Sequence, residues 1–105
     1  MVQYEVLISG KAHEDMEGIY SYIADELFEP AVAAKQYDRI AEAILSLETM
    51  PERVKLMDTE PERSKGLRQL LVDNYSVFFV IHTETVRIAR VLYSAADIRS
   101  RLAEE

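Results

Sequence analysis

Arginine and tyrosine residues recur along the last third of the chain, where an antiparallel sheet would bring several of them together. Guanidinium groups bind phosphate oxygens, and a tyrosine ring can stack on a nucleic-acid base. The two tyrosines, Tyr75 and Tyr93, also fit ordinary packing at the core or its rim, and Arg90 also fits an exposed strand face. The group comprises Arg63, Lys65, Arg68, Tyr75, Ser76, Arg90, Tyr93, Arg99 and Arg101.

The charge balance differs between two parts of the chain. Residues 1–62 carry 14 acidic and 5 basic side chains, whereas residues 63–101 carry 7 basic and 3 acidic side chains. The formal net charge of −7 argues against a general affinity for nucleic acid. A basic face formed by residues 63–101 on an otherwise acidic protein would bind an anionic partner locally. The alternative is that these side chains are ordinary solvated surface charges.

Several classes of protein are disfavoured by what the sequence lacks. With 105 residues and no linker-like stretch, the chain predicts a single domain over residues 1–105. It has no cysteine, two separated histidines and three scattered glycines, so we expect no metal site and no cofactor. No apolar run is long enough for a membrane span, and no secretory signal precedes the first strand. These features predict a cytoplasmic protein.

The first half of the chain predicts a strand followed by a helical hairpin. Residues 2–9 alternate apolar and polar side chains, which is typical of a half-buried strand. Ser9-Gly10 suits a helix start, and Pro30 suits the first turn of a second helix. Apolar residues at steps of three and four then form two stripes, and their short joint predicts antiparallel packing. The stripes are Ala12, Met16, Ile19, Tyr20, Ile23 and Leu27, and Ala33, Tyr37, Ile40, Ala41, Ile44 and Leu47.

The second half predicts a β-meander after a polar loop over residues 51–66. Strands are expected over residues 67–72, 75–82 and 86–93, and the tight turns between them predict antiparallel neighbours. Residues 75–82 are apolar at nearly every position, which is typical of a strand covered on both faces. A short helix is expected from about Asp97. The order β-α-α-β-β-β predicts an α+β fold, with a helical hairpin on a small, mainly antiparallel sheet. The sequence does not indicate which strand pairs with the first strand.

Three motifs in the same order resemble the RelE/ParE toxin superfamily and span almost the whole chain. The segment KAHEDMEGIYSYIADELFEPAVAAKQYDRIAEAILSLETMPER resembles the family's helical part. In the family, this part has a D-x-x-x-I-x-x-Y-I pattern in its first helix and ends its second helix with L-x-x-x-P-E-R. Its G-L-R-x-L-x-V-x-N-Y-x-V-F-Y-x-V block resembles KGLRQLLVDNYSVFFVI, and its V-x-I-x-R-V-L-Y-G-x-R-D-I end resembles VRIARVLYSAADI. The matching residues of the helical part are Asp15, Ile19, Tyr22, Ile23, Leu47, Pro51, Glu52 and Arg53.

The resemblance implies a small bacterial toxin that is made beside an antitoxin, which wraps and silences it. RelE-like members cut mRNA on the ribosome, whereas ParE-like members poison DNA gyrase and need no nuclease site. Cleavage of RNA through the ribose 2′-OH needs a base, cations for the phosphorane charge and an acid. An acidic antitoxin segment would suit the basic region. The implied catalytic positions are Arg68, Arg90, Tyr93 (as proton donor) and Ala96, and the implied substrate-binding positions are Lys65, Tyr75, Ser76 and Arg99.

The sequence departs from the ribonuclease members at two positions. Ser76 and Ala96 stand where those members often carry arginine. Because loss of one charge-stabilising donor costs about 10²–10³ in rate, we expect RelE-like mRNA cleavage that is attenuated by Ala96. The alternatives are ParE-like inhibition of gyrase and an inactive fold that only holds an antitoxin. The leading hypothesis requires Arg68, Arg90 and Tyr93 to converge on one anion-binding patch.

Overall fold

The helices form the hairpin that the apolar spacing predicts. The computed structural model describes residues 2–103. Helix α1 (Gly10–Ser21) begins where the Ser9 hydroxyl oxygen accepts a hydrogen bond from the backbone N–H of Ala12, at 3.1 Å. The chain continues as a π-helix (Tyr22–Glu26) and then enters α2 (Pro30–Leu45) with Pro30 in the first turn. Two 3₁₀ turns, Ser46–Glu48 and Pro51–Arg53, lead away from α2.

Most residues of the two apolar stripes pack against the sheet, but two do not. The prediction that Tyr20 and Leu27 belong to the buried stripe is wrong, since they are 40% and 51% exposed. The Tyr20 ring instead packs edge-on against Tyr37, with 6.3 Å between the ring centroids. Leu27 follows the π-helix, whose wider turn shifts it out of the α-helical periodicity.

The strands form one mixed sheet of order β1-β4-β3-β2. Strands β2 (Arg68–Val72), β3 (Tyr75–His82) and β4 (Thr85–Tyr93) make the predicted antiparallel meander. Strand β1 (Glu5–Ile8) lies parallel to β4, with Val6 opposite Val86. The helical hairpin is the crossover that a parallel pairing requires. The α+β, mainly antiparallel fold is confirmed, and the structure adds the partner of β1.

Both faces of the central strands are covered, which explains why β3 is almost entirely apolar. Val77, Phe79 and Ile88 point toward the helical hairpin. Phe78 and Leu92 point to the other face, which is covered by the short helix α3 (Ile98–Ala103) through its buried Leu102. Within residues 2–103, no helix combines the length and the apolar character that crossing a membrane would need.

Candidate functional site

A cleft of about 850 Å³ opens between α1 with its π-helix and the C-terminal end of β4. The cleft has an apolar floor, three tyrosines and a few charged groups. The walls come from α1 with its π-helix and from β4, which are far apart in the chain. The cleft is therefore formed by the tertiary fold and not by a local sequence motif. Its lining comprises Glu14, Asp15, Gly18, Ile19, Tyr22, Ile23, Leu27, Tyr75, Val91, Leu92, Tyr93, Ala96 and Arg101.

The π-helix places the side chains of one wall. The backbone N–H of Leu27 donates to the Tyr22 carbonyl at 3.1 Å, a five-residue spacing. Tyr22 and Leu27 therefore lie above one another and line the cleft together with Ile23. In an unbroken α-helix the residue above Tyr22 would be Glu26, so the wider turn exchanges a carboxylate for an apolar side chain. Short π-helical turns of this kind are frequent at functional sites.

Tyr75 and Tyr93 form an aromatic corner on the opposite wall. They are directly opposite each other on β3 and β4, and their ring centroids are 5.7 Å apart with 64° between the planes. Tyr93 is 51% exposed, whereas Tyr75 is half-buried. Burial raises the pKa of Tyr75, and the neighbouring hydroxyls of Tyr93 and Tyr22 raise it further. The raised pKa favours the protonated phenol at Tyr75.

Arg90 is buried beside the cleft in an ion pair with Asp15. Its Nε and Nη2 donate to the two carboxylate oxygens of Asp15, at 2.8 and 3.0 Å, and its Nη1 donates to the Arg101 carbonyl at 2.9 Å. Asp15 Oδ2 also accepts from the backbone N–H of Val91 at 3.0 Å. The residue is 3% exposed. The expectation that Arg90 presents its charge to a phosphate on the surface is wrong in this structure.

A local irregularity in β4 explains why Arg90 turns inward. Strand β1 ends at Ile8, opposite Ile88, so the edge of β4 beyond that point has no neighbouring strand. The register between β3 and β4 shifts at Phe78/Phe79, which inserts an extra residue before Arg90. Side chains of Ser9 and Asp15 bind the backbone groups at this open edge in place of a strand. The Ser9 hydroxyl donates to the Ala89 carbonyl, and the Asp15 carboxylate accepts from the backbone N–H of Val91.

Arg68 lies at a different end of the sheet. Its Nη1 donates to the Val54 carbonyl at 2.5 Å and to the Glu52 carbonyl at 3.4 Å. The Tyr4 hydroxyl donates to the Glu52 carboxylate and is the main cause that lowers the pKa of Glu52, with a smaller effect from Arg68. Arg68 therefore holds the segment after α2 against the edge of the sheet.

The expected convergence of Arg68, Arg90 and Tyr93 on one patch is wrong. The strand register puts Arg68 opposite Phe79, whereas Tyr93 is opposite Tyr75. Those two positions of β3 are four residues apart, a distance of about 13 Å along the strand. Arg90 lies nearer to the cleft, but its guanidinium is occupied by Asp15.

The other predicted positions divide among three places. Ser76 is fully buried on the α3 face, where its hydroxyl accepts from Gln69 and shares a hydrogen bond with Ser94, so it does not face a substrate. Lys65 and Arg99 meet at a separate small cavity of about 190 Å³. Tyr75, Tyr93 and Ala96 are brought together in the large cleft.

Of the thirteen lining residues, only Tyr75, Tyr93 and Ala96 belong to the predicted site. Three polar residues among the other ten are Glu14, Tyr22 and Arg101. Tyr22 carried a usable signal, because it is a large aromatic residue one position away from the apolar stripe and is part of the family motif. Glu14 is indistinguishable by pattern from the other carboxylates of α1. Arg101 is in the basic group, but only the placement of α3 brings it to the cleft.

The sequence matches the family model of the ParE toxin of the type II toxin–antitoxin system parDE over residues 6–98. The chain belongs to the ParE toxin family. For this ParE family toxin, the match covers the helical hairpin, the meander and the corner at Ala96, so the resemblance to the RelE/ParE superfamily is confirmed. A comparison with curated protein sequences gives no significant match.

Solved structures share the fold of this ParE family toxin. The chromosomal ParDE toxin–antitoxin system from P. aeruginosa has 22% sequence identity and a TM-score of 0.73, covering 87% of this chain and 96% of that chain. The RelBE2 toxin–antitoxin complex from Mycobacterium tuberculosis has 23% identity and a TM-score of 0.62, covering 88% and 99%. The YoeB dimer from Staphylococcus aureus has 14% identity and a TM-score of 0.58, covering 88% and 98%.

Proposed function

We propose that this ParE family toxin inhibits growth by binding a protein target, DNA gyrase, without cutting RNA, and that a cognate antitoxin silences it. The antitoxin is proposed because the similar ParDE and RelBE2 structures are toxin–antitoxin systems. This proposal replaces the expectation of attenuated mRNA cleavage as the leading hypothesis.

The observation that carries the proposal is the buried ion pair of Arg90. RNA cleavage through the 2′-OH needs cations that face the phosphorane, and Arg90 is one of the two arginines, with Arg68, that the sequence predicts for phosphate binding around the Ala96 corner. Its charge is instead neutralised by Asp15, with side-chain exposures of 4% and 11% for the two residues. Ala96 adds no charge at the corner, and Arg68 lies away from it. The cleft is therefore a poor site for stabilising a reacting phosphate.

The lining of the cleft suits contact with a protein. Protein interfaces are enriched in tyrosine and in other large side chains that bury area at low entropic cost. Tyr22, Leu27 and Tyr93 are each more than half exposed, and Phe28 beside them is 82% exposed. Apolar surface of this kind loses unfavourable contact with water when a partner covers it.

Ribosome-dependent mRNA cleavage is the second candidate. The observation that favours it is that the Tyr93 hydroxyl and Arg101 line the same cleft, which supplies one potential acid and one cation. The two candidates differ in whether the cleft performs chemistry, so direct assays of each activity separate them.

The test uses the purified full chain in two parallel assays. DNA supercoiling by gyrase is measured with increasing toxin, and primer extension detects cuts in mRNA on stalled ribosomes. We expect inhibition of supercoiling that is weakened by Tyr93→Ala and unchanged by Tyr20→Ala, because Tyr20 lies in a different groove between α1 and α2. Discrete mRNA cuts without any effect on gyrase would overturn the proposal and favour the second candidate.

A further inference from the structure

A small cavity of about 190 Å³ lies between the polar loop that precedes β2 and the helix α3. It shares no lining residue with the large cleft. We infer that this cavity is a binding site for a guanine mononucleotide, with the base inside the cavity and the phosphate at its rim. The inference goes beyond the proposed function and does not depend on it.

The carboxylate of Glu62 lines the cavity and is almost completely buried. The residue is 4% exposed, and its Oε1 accepts a hydrogen bond from the Thr59 hydroxyl. No basic side chain of residues 2–103 pairs with it. Burying a carboxylate with so few partners is unfavourable, because the group loses its hydration. A carboxylate has about four acceptor positions, so Glu62 can accept further hydrogen bonds from a ligand in the cavity.

Backbone hydrogen bonds of the loop hold Glu62 in this position. The N–H of Arg63 donates to the Thr59 carbonyl at 2.9 Å, and the N–H of Leu67 donates to the Glu62 carbonyl at 3.0 Å. The N–H of Met57 donates to the Leu67 carbonyl at 2.9 Å and so closes the loop. The acceptor is thus positioned before a ligand arrives, which lowers the entropic cost of binding.

The hydrogen-bonding character of Glu62 favours guanine over the other bases. A carboxylate only accepts hydrogen bonds, and the Watson–Crick edge of guanine presents two adjacent donors, N1–H and the N2 amino group. On the same edge of adenine and cytosine an acceptor nitrogen stands beside the amino donor, and in uracil two carbonyl oxygens flank the single N–H. Guanine can therefore donate to both carboxylate oxygens, whereas the other bases would place a lone pair against Glu62.

Apolar side chains in the rest of the lining suit the faces of a base. Leu67 and Leu102 are 7% and 4% exposed, and Pro61 lies beside them in the lining. Bases held in protein pockets stack between apolar or aromatic side chains. Pockets for drug-sized ligands have about 300–1,000 Å³, so this smaller cavity suits a single base whose sugar and phosphate lie outside.

Two basic side chains stand at the rim, where the phosphate would lie. Lys65 and Arg99 line the cavity and are exposed. Arg99 Nη2 donates to the Glu60 carbonyl at 2.8 Å, which uses one of its five N–H donors, and the Lys65 ammonium has no partner among residues 2–103. Both groups can bind phosphate oxygens. They also repel a cation that approaches Glu62, so a metal ion or an amine suits the cavity less well than a nucleotide.

The charge of the chain favours a mononucleotide over RNA. The formal net charge is −7, and a polymer would bring further phosphates close to an acidic protein. A mononucleotide needs only the two cations at the rim of the cavity.

Isothermal titration calorimetry of the full chain with guanosine 5′-monophosphate (GMP) tests the inference. The comparison ligands are AMP, guanosine without phosphate, and a short single-stranded RNA that contains one guanine. We expect GMP to bind about tenfold more tightly than AMP and several-fold more tightly than guanosine. The difference between GMP and guanosine should shrink at higher salt, because the cations at the rim are exposed. The RNA is expected to bind no more tightly than GMP.

Matched variants locate the binding. Glu62→Gln replaces one of the two acceptors by a donor, and we expect it to weaken GMP binding about tenfold. Glu60→Gln is the control, because that carboxylate accepts from the backbone N–H of Ser64 and is not part of the lining. Lys65→Gln should weaken GMP several-fold and leave guanosine unchanged, whereas Arg63→Gln, outside the lining, should change neither. Circular dichroism spectra verify that the variants are folded.

Several outcomes would overturn the inference. They are absence of GMP binding, equal affinities for GMP and AMP, tighter binding of the RNA than of GMP, and equal effects of Glu62→Gln and Glu60→Gln. If Glu62→Gln fails to fold, the Lys65→Gln variant decides: a reduced difference between GMP and guanosine supports the inference, and an unchanged difference overturns it. Inhibition of gyrase is a separate readout, because none of the four substituted residues lines the large cleft.

Discussion

Asp15 and Arg90, which are 75 residues apart in the sequence, form a bidentate ion pair that joins α1 to β4. The same guanidinium donates to the Arg101 carbonyl, so it also fixes α3. These three elements contribute residues to both walls of the cleft. The pair therefore determines the shape of the proposed binding surface, although its charges do not face a partner.

Removing Arg90 should destabilise the protein strongly. Arg90→Ala leaves the carboxylate of Asp15, 11% exposed, without its cation, and breaking a buried pair in this way costs about 3–5 kcal/mol. Urea unfolding followed by circular dichroism measures the loss. Arg39→Ala is the matched control, because Arg39 also makes a bidentate pair, with Asp73, but is 62% exposed. Equal losses for the two variants would contradict a buried structural role for Arg90.

Stability should fall in acid partly because of Asp73. Hydrogen bonds from Arg39 and from Gln36 lower the pKa of Asp73 below its ordinary value. The unfolded chain then takes up a proton at higher pH than the folded chain, so this stabilisation is complete above the ordinary aspartate pKa of about 3.9 and is lost as the pH falls toward the folded value.

Asp73→Asn tests this contribution without changing the turn. Asp73 has a φ of 56°, a conformation that asparagine also tolerates. We expect the variant to lose stability at pH 7 and to show a shallower decrease between pH 5 and about pH 3. Urea midpoints measured across this range check it. An unchanged pH dependence would show that the pair with Arg39 contributes nothing in solution.

Tyr93→Phe should have little effect on the toxin if the cleft binds a protein. The substitution keeps the ring that packs against Tyr75 and removes only the hydroxyl. We expect less than about a threefold change in growth inhibition, whereas loss of a general acid would reduce cleavage by about 10²–10⁴. Growth curves after induced expression, with protein levels checked by immunoblotting, measure the effect. A loss of toxicity as large as that of Tyr93→Ala would favour RNA cleavage.

The order and type of the elements follow from the sequence. The steps of three and four in α1 and α2, the alternation of β1 and the continuous apolar run of β3 are local patterns, and each indicates which face of its element packs on the core. Single positions depart from these patterns, since Tyr20 and Leu27 are 40% and 51% exposed. The motifs around Asp15, Tyr75 and the Ala96 corner are likewise local, and they identify the family. These features can be predicted from the sequence because they depend on residues that are close together in the chain.

Only the tertiary structure decided which functional groups meet. No local pattern specified that β1 would pair with β4, or that the bulge opposite Phe78 would turn Arg90 toward Asp15 and away from a surface. The register also separated Arg68 from Tyr93, and the π-helix brought Tyr22 and Leu27 into the cleft. Such outcomes depend on strand register and on packing between distant segments. A shift of one residue changes which face a side chain occupies, while the local sequence stays the same.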